Sequence, residues 1–317
     1  MLIKVKNKLR NKGRTFFNIT TEVQPQPNKG SRIFTLLKRM IIAISIIILF
    51  FSCSRILNVS SVGKGAECFS LGEFGHLRID GKYLFDTGAS VSVFISNDSL
   101  NLISKETLFF QSIKDVHGKN RYERYSYFNL FPINNIHFHK AYMLKMNSEG
   151  LSESMLNIMQ KGIIGMNIIN KANWIINFKD SIIECIPKDS LISIPAENKI
   201  KLSYKNKVHP KVTLTINGIT FKNMLFDTGA FDELSLTKSQ ISQIEEIELY
   251  GSIGMSGLYS KQTSNVYICK ELNLNNVLFR DVLITETTKF PLIGMGIIKQ
   301  FNHLFIDTKN QVFYLYN

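Results

Sequence analysis

Six consecutive residues, Leu84-Phe85-Asp86-Thr87-Gly88-Ala89, recur unchanged as Leu225-Phe226-Asp227-Thr228-Gly229-Ala230. With average composition, a specified tetrapeptide such as Asp-Thr-Gly-Ala recurs by chance on the order of once in several hundred chains of this length. The likeness extends past the motif. Asn134-Asn135-Ile136-His137-Phe138 answers Asn275-Asn276-Val277-Leu278-Phe279 at an offset of 141 residues, the same offset that separates the two acids. Further on, Ile163-Ile164-Gly165-Met166 answers Leu292-Ile293-Gly294-Met295 at an offset of 129. The first copy therefore carries 12 additional residues. Their expected place is Ser148 to Lys161, where Leu151, Met155, Ile158 and Met159 have helical spacing. Duplication on this scale constrains the fold strongly, since what one copy builds the other must build again.

The repeated unit reads as mostly β. His76 to Ile79 and Tyr83 to Phe85 flank an Asp80-Gly81 turn, and Lys211 to Ile216 and Phe221 to Phe226 flank Asn217-Gly218. Asp-Gly and Asn-Gly between such runs signal tight hairpins. Each acid is followed by another strand-like run, Val91 to Ile95 or Leu234 to Leu236, and each copy closes on alternating segments, Trp174 to Cys185 and His303 to Tyr316. Short helices are expected over Ser96 to Glu106 and, opened by a capping box at Thr237-Lys238-Ser239-Gln240, to about Glu246. The organisation expected is a leader over 1–53, a tether over 54–66, a first lobe over 67–187, a linker over 188–199 containing Pro195, and a second lobe over 200–317.

The formal net charge of +13 invites a nucleic-acid reading, but its distribution argues against one. Residues 1–39 hold ten Lys or Arg and the single acid Glu22, so they carry +9 of the +13 and leave +4 for the remaining 278 residues. No nucleic-acid partner is expected. The apolar run Met40 to Phe51 is too short for a span of roughly 20 residues and matches the core of a signal peptide, preceded by Lys38 and Arg39. It ends in Phe50-Phe51-Ser52-Cys53, which resembles a bacterial lipoprotein processing site with Phe50 where leucine is usual. The expectation is export to the cell envelope and membrane attachment, with Cys53 as lipid anchor; an uncleaved signal anchor is the other reading. A start nearer Lys38, with the preceding residues not translated, is a further expectation.

Two carboxylates brought face to face cannot both stay ionised, so they share a proton and can split general base and general acid roles. Such a pair hydrolyses an amide without metal or covalent intermediate, and neither metal nor cofactor is expected. The glycine after each Asp-Thr permits close backbone approach, and the neighbouring threonine hydroxyl can bond across a twofold axis. His137 and His139, two apart on a strand, have no evident third ligand and read as surface or packing residues. Among the four cysteines, Cys68 and Cys185 can meet as a disulfide in an oxidising compartment, with free thiols the default.

These residues carry a family resemblance. Asp86-Thr87-Gly88-Ala89, Asp227-Thr228-Gly229-Ala230, Ile163-Ile164-Gly165 and Leu292-Ile293-Gly294 together resemble aspartic proteases of the retroviral (retropepsin-like) type, in their bacterial cell-envelope relatives. The resemblance covers nearly all of residues 66–317. It implies an all-β fold of two similar retropepsin-like β-barrel lobes related by a pseudo-twofold axis, with short helices. It also implies a water-activating dyad of Asp86 and Asp227 supported by Thr87, Gly88, Thr228 and Gly229. The apolar-apolar-Gly piece would pass beneath each acid loop. The substrate would be a peptide or protein, and the site would be completed within a monomer acting as an intramolecular pseudo-dimer. Two rivals keep the fold: a catalytically inactive peptide-binding protein, and a chain whose lobes pair like with like between molecules. Family members carrying Ala after the Gly lack one hydrogen bond to the acids, which implies raised pKa values and activity at mildly acidic to neutral pH. Glycine-bearing flaps are sought around Val116-His117-Gly118-Lys119 and from Gly251 to Tyr259. The halves differ locally: Ser90 follows Ala89, whereas Phe231-Asp232 follows Ala230. Phe231 reads as a packing residue, with filling of a substrate pocket as the alternative, and Asp232 as a solvated turn residue, with perturbation of the dyad as the alternative.

Overall fold

The computed structural model describes residues 61–62, 64–71, 75–114, 120–149, 151, 153–190, 192–194, 199–256 and 261–317. All of them lie in one compact unit, Leu57–Asn317. The basic leader, the apolar run, Cys53 and the first flap candidate, 116–119, fall outside the described residues, as does the 257–259 portion of the second.

The first half runs β1 (Ser61–Val62), β2 (Gly65–Leu71), β3 (Leu77–Ile79), β4 (Tyr83–Phe85), β5 (Val93–Ile95), α1 (Asp98–Ile103), β6 (Ser104–Lys114), β7 (Asn120–Ile133) and β8 (Ile136–Met146). It continues through α2 (Glu153–Met159), β9 (Gly162–Ile164), α3 (Met166–Ile169), β10 (Asn173–Asn177) and β11 (Ile182–Ile186). The second half runs β12 (Lys199–Ser203), β13 (Lys211–Ile216), β14 (Ile219–Phe226), β15 (Leu234–Thr237), α4 (Lys238–Ile241), β16 (Ile247–Ser256), β17 (Lys261–Leu274) and β18 (Val277–Thr287). It closes with β19 (Leu292–Ile293), α5 (Met295–Ile298), β20 (His303–Asp307) and β21 (Val312–Tyr316). The all-β class with short helices is what the chain adopts.

The duplication is visible in the strand order. The first half pairs β3-β4-β9-β5-β8-β7-β6, and the second pairs β13-β14-β19-β15-β18-β17-β16. Adding ten to every label in the first series gives the second. In both halves the strand leading into the acid runs parallel to the apolar-Gly strand, which lies antiparallel to the strand following the acid. The twelve-residue excess of the first copy holds α2, an added helix packed against β4 and the cluster of Leu84, Val93 and Ile163.

A base sheet joins the halves in the order β2-β11-β10-β20-β21-β12. Its central pair, β10 and β20, is antiparallel, with Trp174 opposite Ile306, Ile175 opposite Phe305, Ile176 opposite Leu304 and Asn177 opposite His303. Shifting the first-half partners by the 129-residue offset turns the pair Ile176–Leu304 into the pair Phe305–Ile175. The register therefore obeys a twofold axis between these strands. One core spans both halves, including Phe85, Trp174, Phe226 and Phe313, all fully buried.

Both tight turns form, with Asp80 and Gly81 at φ 55° and 62° and Asn217 and Gly218 at 48° and 80°. Paired positive φ values are the geometry of a two-residue hairpin, which Asn217-Gly218 makes between Ile216 and Ile219; between Ile79 and Tyr83, Lys82 is a third loop residue. The capping box at Thr237 and Gln240 also forms, but its helix is one turn rather than two. The helix is capped at Ser242, and Glu246, at φ 56°, stands just before β16. Cys68 and Cys185 are free thiols, on neighbouring strands where Cys68 faces Ile182 and Cys185 faces Gly65. Cys185 is buried, which pushes its thiol up to about 12, whereas Cys68 is exposed. His137 and His139 both lie on β8. Among the described residues, no helix is long and apolar enough to cross a membrane.

Candidate functional site

Each acid sits just past the end of a short buried strand, and the strand beneath it fixes its backbone. The Asp86 N–H donates to the Ile164 carbonyl at 3.0 Å, and the Asp227 N–H donates to the Ile293 carbonyl at the same distance. One step on, Met166 N–H donates to Ala89 O and Met295 N–H to Ala230 O, both at 2.8 Å. The apolar-apolar-Gly pieces thus brace the acid loops from below. Gly165 is required there by space, since a Cβ would stand 2.8 Å from the carbonyl oxygens of Ala89 and Val91.

Across the halves the two loops are tied reciprocally. Thr87 N–H donates to Thr228 Oγ1 and Thr228 N–H to Thr87 Oγ1, each at 3.0 Å. Each hydroxyl then donates onward to the other half: Thr87 Oγ1 to the Phe226 carbonyl at 2.6 Å, Thr228 Oγ1 to the Phe85 carbonyl at 2.8 Å. Both threonines are fully buried, so these four bonds satisfy groups that water does not reach. The loops are close enough that a Cβ on Gly88 would lie 2.3 Å from Asp227 Oδ2, and one on Gly229 would lie 2.4 Å from Asp86 Cγ.

The two carboxyl groups lie within hydrogen-bonding reach of each other. Asp86 Oδ1 accepts from Ala89 N–H at 2.9 Å, while Asp227 Oδ1 accepts from Gly229 N–H at 2.8 Å and Ala230 N–H at 3.1 Å. Both side chains keep partial access to solvent although protein atoms crowd them otherwise. Burial raises the pKa of Asp86, and the amides of Ala89 and Gly88 oppose that rise. Burial raises Asp227 well above the usual carboxylate value, and the charge of Asp86 raises it further. A pair in these surroundings holds one proton between its members.

The halves are not equivalent, and hydrogen bonds locate the difference. Asn167 N–H donates to Ser90 O, whereas its counterpart Gly296 N–H donates to Asp232 O. Val93 lies opposite Leu144, and Ser235 opposite Thr285, a shift of 142 residues on one strand against 141 on the other. Phe231 is therefore an extra residue in the second loop, half-buried where it sits. Asp232 departs from the solvated turn residue expected. It is 8% exposed, and its carboxyl accepts from Ser235 Oγ at 2.9 Å and Thr285 Oγ1 at 3.2 Å. Burial raises its pKa, and Asp227 adds to that rise.

The bracing differs as well. In the first half, Asn167 Oδ1 accepts from the Ser92 N–H and Oγ, both at 2.7 Å, and its amide donates to Tyr142 O. In the second half Gly296 leaves that space to Glu233, whose carboxylate accepts from the N–H of Leu283, the residue equivalent to Tyr142. Sequence reasoning missed this exchange. Its one signal was that the Ile-Gly-Met match breaks at Asn167 against Gly296.

Of the flap candidates, Gly251 and Gly254 lie on β16, which pairs with β17 as a hairpin from Ile247–Cys269 to Ser256–Lys261. In the first half β6 and β7 form the matching hairpin up to Lys114–Asn120. Among the described residues, no group of three or more His, Cys, Asp or Glu is arranged to hold a metal ion.

No protein-family model matches the chain, and no curated protein sequence matches it. One solved structure it resembles is a retropepsin-like aspartic protease from Rickettsia conorii, at 16% identity over 38% of this chain and 91% of that one, with a TM-score of 0.29. A likeness of that extent adds nothing to what the geometry says, and the functional reading rests on the site.

Proposed function

We propose that the chain is an aspartic endopeptidase whose dyad is Asp86 and Asp227. The observation that carries the reading is the reciprocal threonine lock, which holds two acid-bearing loops together with their carboxyl groups within reach of each other. Asp227, whose pKa is raised further, bears the shared proton in the free protein, and Asp86 acts as base. A water held between them gives a proton to Asp86 as its oxygen attacks the scissile carbonyl carbon, while Asp227 protonates the carbonyl oxygen. The tetrahedral diol collapses when Asp86 gives its proton to the amide nitrogen and Asp227 takes one hydroxyl proton, breaking the C–N bond, leaving a carboxylic acid and an amine and restoring the singly protonated pair. With both acids raised, activity is expected at mildly acidic to neutral pH; a rate maximum below about pH 3 would refute that.

The test is cleavage of a peptide library by the purified chain, with Asp86→Asn and Asp227→Asn. Loss of cleavage with either change supports one shared dyad. Cleavage that survives one change and disappears with both would mean like-with-like pairing between chains. No cleavage sensitive to a transition-state analogue of peptide hydrolysis would make the chain a binding protein. Export and lipidation at Cys53 belong to the same proposal. The expected outcome is a membrane-bound product that incorporates labelled fatty acid, and a Cys53→Ser variant that does not.

A further inference from the structure

The base sheet has two faces. Trp174, Ile176, Ile306 and Phe313 point into the core, where Trp174 meets Phe85 at 5.1 Å between ring centroids and Phe313 stacks on Phe226 at 3.9 Å. Those phenylalanines directly precede the two acids, so the dyad lies on the inner face. On the outer face, Ile175, Phe305, Tyr314 and Tyr316 form a separate apolar cluster with Ile192 and Ile194 of the linker. Between the linker and this face is a cavity of about 360 Å³, lined in part by Lys188, Ser190, Ile194, Phe305 and Tyr314. That volume is at the lower end of small-ligand sites, which run roughly 300–1,000 Å³.

Most of the charged and amide groups of the polar wall have partners. Asp307 accepts from the N–H and the side-chain amide of Asn310, at 2.9 and 2.7 Å. Lys309 is paired with Asp189 at 2.6 Å. The Asn173 amide donates to Lys188 O, and its oxygen accepts from Thr308 N–H. The Lys188 ammonium has no ion-pair partner among the described residues, although it is half-buried. Burial lowers its pKa, and the nearby Lys207 and Lys171 lower it further, while Asp307 offsets only part of this. A half-desolvated cation beside two more cations favours an anion, and an aromatic and aliphatic wall favours an apolar body. A bare inorganic ion would leave that wall unused.

We propose that this cavity binds a small amphipathic carboxylate, one carboxylate on a short aliphatic or aromatic body, with the acid on Lys188 and the body against Ile194, Phe305 and Tyr314. The site is independent of the dyad and of whether the chain cleaves peptides.

The test is calorimetric titration of the purified full chain with N-acetylleucine, N-acetylleucinamide and inorganic phosphate. Saturable binding of N-acetylleucine is expected, with binding of the amide and of phosphate weaker by about tenfold or more. Lys188→Gln should lose about tenfold in affinity for N-acetylleucine while its unliganded melting temperature is unchanged or higher, because a half-buried charge is gone. Ile194→Ser should weaken binding severalfold. Equal binding of the amide, equal binding of phosphate, or full affinity in a folded Lys188→Gln variant would each overturn the proposal, as would no binding of N-acetylleucine at all.

Discussion

At the residue scale, the threonine hydroxyls are the least replaceable groups near the dyad. Thr228→Val keeps the shape of the side chain but leaves the Thr87 N–H and the Phe85 carbonyl without their partners in a fully buried place. Each orphaned group costs about 1–3 kcal/mol, so a clear fall in stability is expected in denaturant unfolding, together with loss of peptide cleavage. The acids behave oppositely. Both carboxyls have folded pKa values raised above the unfolded value of about 4, so the folded state holds protons that the unfolded state has already released. Their favourable contribution is complete below about pH 4 and is lost as pH rises through the raised values. Asp227→Asn should therefore be more stable than the parent at neutral pH, with the difference vanishing toward pH 3–4. Melting temperatures of both proteins across that range check the sign. A difference that grows toward acid would contradict it.

At the scale of elements, much was legible because repeated local rules met repeated residues. The hairpins at Asp80-Gly81 and Asn217-Gly218 and the added helix in the first copy were readable from residue type and spacing, whereas the bracing glycines were expected only through the family resemblance. What stayed hidden was any contact formed by residues distant in sequence. Asp232 looked solvated because nothing local announces Thr285 as its partner. The replacement of Asn167 by Glu233 needed three strands to be placed before it made sense. The short helix after Thr237 shows the complementary failure, since a good cap sets where a helix starts and says little about where it stops. Gly165 offers a sharp test of element placement. In Gly165→Ala the added carbon meets backbone atoms of the Ala89–Val91 loop, which cannot swing aside as a side chain can. Loss of stability of about 1–3 kcal/mol and displacement of Asp86 are expected, read by unfolding and by a fall in kcat.

At the scale of the molecule, the halves are joined through the sheet as well as through the linker. β10 of the first half finds its outer partner only in β20 of the second. A fragment holding residues 61–190 would expose that strand edge and the core face around Trp174, Phe85 and Phe138. Because the β10–β20 register is itself twofold, such a fragment can satisfy the edge with a second copy of β10. It is expected to be dimeric by sedimentation, with the complementary half displacing one copy when added. A folded monomeric fragment would show that the shared sheet is dispensable.

Phe231 carries a consequence of another kind. In an enzyme made of two identical chains, every mutation is inherited by both sides of the axis, and a lesion tolerable on one side only is purged. A tandem gene escapes that constraint. The extra Phe231, the buried Asp232 and the pairing of Asn167 with Gly296 are differences that two halves of one chain can hold and two identical chains cannot. The lock of Thr87 and Thr228 is symmetric, whereas the surroundings of the two acids are not.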